Sequence, residues 1–182
     1  MYEDIFLDVT TALETLGQQH GEYPFLGKWE DKHWMNTPGP IYCGETDNCG
    51  TGPDSAPYNV GLDNEAFQAI YRQPTSLGEL QQVVDAASFD PFHGYGADGN
   101  LHWSYEAIKE WSTGPRQQVE QEVRRLYEAR GVLGNNINPM YPNELKWWLG
   151  YLKAGMQQYL QVYAFFLDNG HIPTESDRLP EL

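Results

Sequence analysis

Residues 142–169 read PNELKWWLGYLKAGMQQYLQVYAFFLDN, and their apolar side chains fall at 145, 148, 149, 152, 156, 159, 160, 163, 166 and 167. That spacing marks one continuous face at the helical period. The stretch predicts a single helix of about 26 residues, ~39 Å long at the usual rise per residue. A helix of that length forms the spine of a domain, or alternatively the seam of a homodimer. Lys146, Lys153, Gln157, Gln158 and Gln161 interrupt its apolar character, and a bilayer span needs ~20 mostly apolar residues. It therefore does not read as a membrane helix.

Working outward, three further helices are legible. "SLGELQQVVDAAS", 76–88, opens on Ser76 with Glu79 three residues on, a capping-box match. "YEAIKEWS" follows Ser104 and turns Ile108 and Trp111 inward. "GPRQQVEQEVRRLYEARG" places Pro115 at a favourable first turn and Gly131 at the stop, with Val119, Val123, Leu126 and Tyr127 as its stripe. At the N-terminus, Ile5, Val9, Ala12, Leu13 and Leu16 predict an amphipathic helix over 3–18.

Between these lie two irregular regions. Residues 20–40 mix Pro, Gly and aromatics without a period and read as an ordered connection pinned by Tyr23, Phe25, Trp29 and Trp34. Residues 39–63 suggest short strands at 41–43 and 58–62, and the alternation of Phe67, Ala69 and Tyr71 with Gln68, Ile70 and Arg72 suggests a third. The fold class predicted is α+β, a mainly helical single domain over 1–182 with a small antiparallel sheet and long ordered loops. Residues 171–182, polar and Pro-bearing, read as a loose tail.

The net charge is -15, with 18 acids and 4 bases before residue 115 against 8 and 7 after it. Such a field repels phosphate backbones and anionic lipid, which disfavours nucleic acid and membrane surfaces, and it speeds encounter with a basic protein. Aromatics make up 14%, so the chain reads as folded rather than disordered. Acids at 3, 4 and 8 are unlike a signal peptide. With two cysteines, the expected location is cytoplasmic.

Two loops carry the candidate chemistry. "DPFHGYGADGNLHW", 90–103, holds two histidines, two aspartates and an asparagine among turn residues. It reads as a stiff loop anchored by Phe92, Tyr95 and Trp103, with Asp98 and Asn100 bonding its own backbone. The alternative is a metal-assisted hydrolase using His93, Asp98 and His102 with a carboxylate from 45–54, although the loop lacks the glycine and distal glutamate of a calcium loop. "YCGETDNCGTGPDSAP", 42–57, separates Cys43 and Cys49 by five residues, outside the zinc-knuckle spacing, and its acids oppose a reactive thiolate. No phosphate loop, nucleophile elbow, zincin or dinucleotide motif is present. No cofactor is expected.

In their acidity and aromatic content, with "GPIYCGETDNCGTGP" and "DPFHGYGADGNLHW" between Pro38 and Trp111, these features are similar to immunity proteins of bacterial toxin–immunity systems. The resemblance implies a toxin inhibitor that binds a basic protein partner and is not itself an enzyme. The contact residues expected on electrostatic grounds are Glu45, Asp47, Asp54, Asp90 and Asp98, with Tyr42, Tyr58, Tyr95 and Trp103 as apolar anchors. The chain would act as a monomer or homodimer.

Overall fold

The computed structural model describes residues 2–20, 24–47, 50–132 and 143–182. In chain order its elements are α1 (Val9–His20), β1 (Tyr42–Cys43), α2 (Thr51–Ser55), β2 (Val60–Leu62), β3 (Gln68–Ile70), α3 (Leu77–Ser88), β4 (Tyr95–Gly96), α4 (Tyr105–Thr113), α5 (Pro115–Val132), α6 (Glu144–Ala154) and α7 (Met156–Asn169). The chain is a mainly helical α+β single domain, as the sequence pattern predicts.

The long C-terminal pattern folds as two helices, not one. At Gly155 the helix is interrupted by a turn residue whose φ widens to -114°, while the apolar face continues across the break. A Cβ at this position would lie 2.8 Å from the Tyr151 ring, so glycine lets that ring fold back over the joint. Trp148, Leu152, Met156, Leu160 and Tyr163 still share one core with Ile108, Trp111, Val119 and Val123 from α4 and α5. α6 and α7 are the spine of the helical half.

The N-terminal helix starts later than its hydrophobic period suggests. Asp8 caps α1, its carboxylate accepting the Thr11 amide at 3.3 Å and the Thr11 hydroxyl at 2.7 Å. The preceding residues instead lay Phe6 on Tyr159, Tyr163 and Phe166 of α7. Aromatic burial there outweighs two more turns of helix.

A second core, drawn entirely from residues 7–97, joins Val9 of α1, Leu80 and Val83 of α3 and the strands. The strands form two antiparallel pairs, β1 with β4 and β2 with β3. Tyr42 faces Gly96 and Cys43 faces Tyr95 across the first; Val60 faces Ile70 and Leu62 faces Gln68 across the second. β2 and β3 answer the strands expected near 58–62 and 67–71, although β3 is buried throughout and does not alternate. β4 lies inside the loop 90–103.

Buried amides hold these short pairs together. Asn36 donates from Nδ2 to the His33 and Cys43 carbonyls, both at 2.7 Å, and its Oδ1 accepts the Cys43 amide at 3.0 Å and the Ile70 amide at 2.8 Å. It thus fastens β1 to β3 where no ladder runs. Gln73 repeats the device at Ile41, accepting its amide at 3.2 Å and donating to its carbonyl at 2.7 Å. Strands of two and three residues cannot satisfy their backbone alone, and side chains supply the missing partners.

The last twelve residues are docked, which corrects the loose tail expected at 171–182. Ile172, Leu179 and Leu182 pack on the helical core. Tyr105 donates to the Glu181 carbonyl at 2.9 Å, and Gln161 donates to that of Pro180 at 2.9 Å. Polar composition concealed three apolar contacts spaced along the segment. Tyr23 and Cys49 lie outside the described residues.

Candidate functional site

The loops 42–57 and 90–103, far apart in sequence, meet along the β1–β4 ladder. Beyond it, the Gly44 amide donates to the Gly94 carbonyl at 2.7 Å, and the Gly27 amide donates to that of Tyr95 at 2.7 Å. Three chain segments cross here at backbone distance. A Cβ on Gly27 would stand 2.5 Å from the Gly94 oxygen, so only glycine permits the crossing.

Asp90 holds the second loop in shape. It is buried, accepts the Thr46 hydroxyl at 2.8 Å and the Phe92 amide at 3.0 Å on one oxygen, and accepts the Gly94 amide at 2.8 Å on the other. Opposite, Asn100 accepts the Tyr163 hydroxyl at 2.9 Å and donates to the Thr10 hydroxyl at 3.2 Å. Asp90 thus braces the loop's backbone, joining the Asp98 carboxylate, which accepts a backbone hydrogen bond of its own. Asn100, expected to bond the loop's backbone, reaches Tyr163 and Thr10 instead. Asp90 is corrected from a contact residue to an internal brace.

Where the three segments diverge they leave a cleft of roughly 550 Å³, within the usual range of ligand pockets. Exposed Leu26 and Phe92, at 59% and 66%, form its apolar rim. Glu30, Asp31 and Glu45 are exposed carboxylates in its wall; Lys28, Lys32 and His93 complete the polar lining. His93 has φ +54°, a left-handed backbone uncommon for a residue with a side chain, and such strain collects at functional positions. Phe92, expected as a core anchor, stands outside instead.

Beside the cleft, Trp29 organises an aromatic cluster. His102 stacks on it at 4.6 Å with an interplanar angle of 6°, while Tyr42 and Trp103 meet it edge-on at 5.3 and 5.4 Å. Asp98 accepts the Tyr42 hydroxyl at 2.7 Å and lies 3.2 Å from Nε2 of His102. Partial burial works to raise the Asp98 pKa, but the Tyr42 and His102 hydrogen bonds outweigh it and hold the carboxyl below its ordinary value. The Lys32 ammonium lies over the Trp29 and Trp103 rings, 5.0 and 5.4 Å from their centroids, and burial lowers its pKa.

The residues singled out in sequence thus separate into groups. Glu45 and His93 share the cleft. Asp98, His102, Trp103 and Tyr42 share the aromatic cluster. Asp54 and Tyr58 are exposed but do not line the cleft, Tyr58 stacking on Trp147 at 4.6 Å. Asp47 is exposed. Tyr42 and Tyr95 are buried, at 1% and 0%, which corrects their expected role as surface anchors. The β1–β4 ladder sends the two rings to opposite faces, Tyr95 into the strand-bearing core and Tyr42 against Trp29.

The three residues named for the metal-assisted alternative do not lie together. Among the described residues no three His, Cys, Asp or Glu side chains gather closely enough to hold an ion. His93 is in the cleft, and Asp98 and His102 belong to the aromatic cluster, so they do not form one donor set. Cys43 is buried, and burial pushes its thiol far up, away from reactivity.

Sequence reasoning missed Leu26, Lys28, Trp29, Glu30, Asp31 and Lys32. Their one visible signal was the density of aromatic and charged residues in "FLGKWEDKHW", 25–34. Comparison of the chain with known families, curated proteins and solved structures finds no match. Among the described residues no helix is long and apolar enough to cross a membrane.

Proposed function

We propose that the protein binds a basic protein partner through the cleft between residues 26–32, 44–45 and 92–94, and that it inhibits that partner, a bacterial toxin, in the manner of an immunity protein. The observation that carries this reading is the gathering of Glu30 and Asp31 from the 26–32 segment and Glu45 from the 42–57 loop in one cleft. Its apolar rim is flanked by three exposed carboxylates, against two lysines of which one is turned onto indole rings. Leu26 and Phe92 offer exposed apolar contact area at the rim, and Glu30, Asp31 and Glu45 pair with cationic side chains beside it. The wall is preorganised by backbone bonds and Asp90, so little conformational entropy is lost on docking.

The test is retention of a cationic protein by the immobilised chain at low salt, compared with a Glu30→Lys/Asp31→Lys/Glu45→Lys variant. A one-to-one complex with a basic protein, lost in the variant and weakened by salt, supports the reading. Equal retention by both chains, or no basic protein on either, counts against it.

A further inference from the structure

Two of the cleft carboxylates face each other across paired backbone. An antiparallel bridge joins Lys32 to Gly44, and on one side of it the His33 amide donates to the Cys43 carbonyl at 2.9 Å. On the other side the same register sets Asp31 against Glu45. A Cβ on Gly44 would stand 3.6 Å from Cβ of Asp31 and 3.4 Å from the Gly94 oxygen. The root of the Asp31 side chain, the residue before Glu45 and the 92–94 loop therefore meet at one point of the cleft wall. Both carboxylates are exposed, and like charges set opposite one another on paired segments repel. Among the described residues neither has a cation in salt-bridge contact. Lys32, next in the chain to Asp31, turns its nitrogen to the Trp29 and Trp103 rings instead. At the rim of the same cleft the Phe92 ring stands exposed.

We propose that the cleft receives the side chain of one arginine of the partner, an inference that rests on the protein-binding reading and names the group it recognises. Guanidinium N–H groups donate to Asp31 and Glu45 together, bridging two carboxylates that repel each other when the cleft is empty of a cation. The planar face of the guanidinium lies on the Phe92 ring, and Leu26 covers the methylene stem. Arginine is favoured over lysine because the ammonium is a point charge, without a fork to span two carboxylates or a flat face to stack. A divalent cation takes more oxygen ligands than this pair offers, and among the described residues no third His, Cys, Asp or Glu joins it closely enough to hold an ion.

The probes are acetyl-Gly-Arg-Gly-amide and its lysine counterpart, titrated into the isotope-labelled full chain and followed by NMR through the amides of Gly27, Gly44 and Gly94. The arginine peptide is expected to bind about tenfold more tightly than the lysine peptide, its charge-assisted bonds being bidentate. Asp31→Asn or Glu45→Gln should bring the arginine peptide to the level of the lysine peptide, and Phe92→Ala should weaken it about threefold. Asp31→Asn should also raise the thermal midpoint slightly, because it removes a like-charge opposition; a lower midpoint would make the pair a brace of the fold and overturn the proposal. Equal affinity for the two peptides, or shifts at these glycines with calcium chloride and with neither peptide, would overturn it as well. Salt-sensitive retention of a basic protein combined with equal peptide affinities would remove the arginine site and keep the protein-binding reading. Selective binding of the arginine peptide with no basic protein retained would do the reverse.

Discussion

At the scale of single residues, the polar interior sets this fold apart from a simple helical bundle. Asn36 makes four buried hydrogen bonds to three different backbone segments. Replacing it with Leu takes the acceptor from the buried Cys43 and Ile70 amides, while the His33 and Cys43 carbonyls keep the main-chain amides of residues 36 and 33. The expected loss is about 3 kcal/mol by chemical denaturation, since each buried orphan group costs ~1–3 kcal/mol with partial relaxation. His33 adds a pH dependence. The Met35 amide donates to its Nδ1 at 3.3 Å, so the proton sits on Nε2, 3.1 Å from Asp63. Burial lowers its pKa, and Asp63 only partly offsets that.

A second proton on His33 would face the Met35 N–H. The unfolded chain takes up that proton more readily than the folded one. The His33 contribution is therefore complete above the unfolded pKa of about 6.5 and is lost as pH falls below it. The midpoint of urea unfolding should fall between about pH 7.5 and 5.5, and more steeply than in His33→Gln. Parallel pH dependences for the two chains would remove His33 as the cause. Neither residue could be singled out from the sequence. A buried amide and a surface amide look alike until their partners, here 7 and 34 positions away, are known.

At the scale of elements, helices with local signals were legible and everything that depends on distant partners was not. Ser76 accepts the Glu79 amide at 3.2 Å, and Ser104 caps α4 through the Ala107 amide at 3.2 Å, because caps are written within four residues. The break at Gly155 escaped the hydrophobic pattern, since the core face runs through it unbroken. α2 escaped because five residues are too few to show a period. β4 is two residues long and exists only through β1. The docked C-terminal segment is the clearest case, its order coming from contacts with α4 and α7 rather than from its own composition. Removing residues 171–182 should lower stability by about 3 kcal/mol, from three partly buried aliphatic side chains at ~1 kcal/mol each. A thermal midpoint unchanged by the truncation would show that the segment contributes nothing.

For the whole molecule, the sequence foretold a charge asymmetry and two important loops, and the fold relates them. The acid-rich first 114 residues supply the whole strand-bearing core, while α5 to α7 complete the helical one. Of the described carboxylates in those 114 residues, Asp90 alone is buried, so the negative charge remains on the surface, available for steering. The cleft itself could not be read in advance. It is assembled from 26–32, 44–45 and 92–94, and the first of these looked like mere connection.

The central claim is that this cleft meets a cationic protein under electrostatic guidance. Its most direct measurement is the association rate with the basic partner across a range of ionic strengths, for the wild-type chain and for Glu45→Lys/Asp47→Lys. Surface carboxylates that steer encounter predict a wild-type rate that falls steeply with salt, and a variant that associates about tenfold more slowly at low salt with a flatter dependence. Rates that are insensitive to salt and equal in the two chains would contradict it.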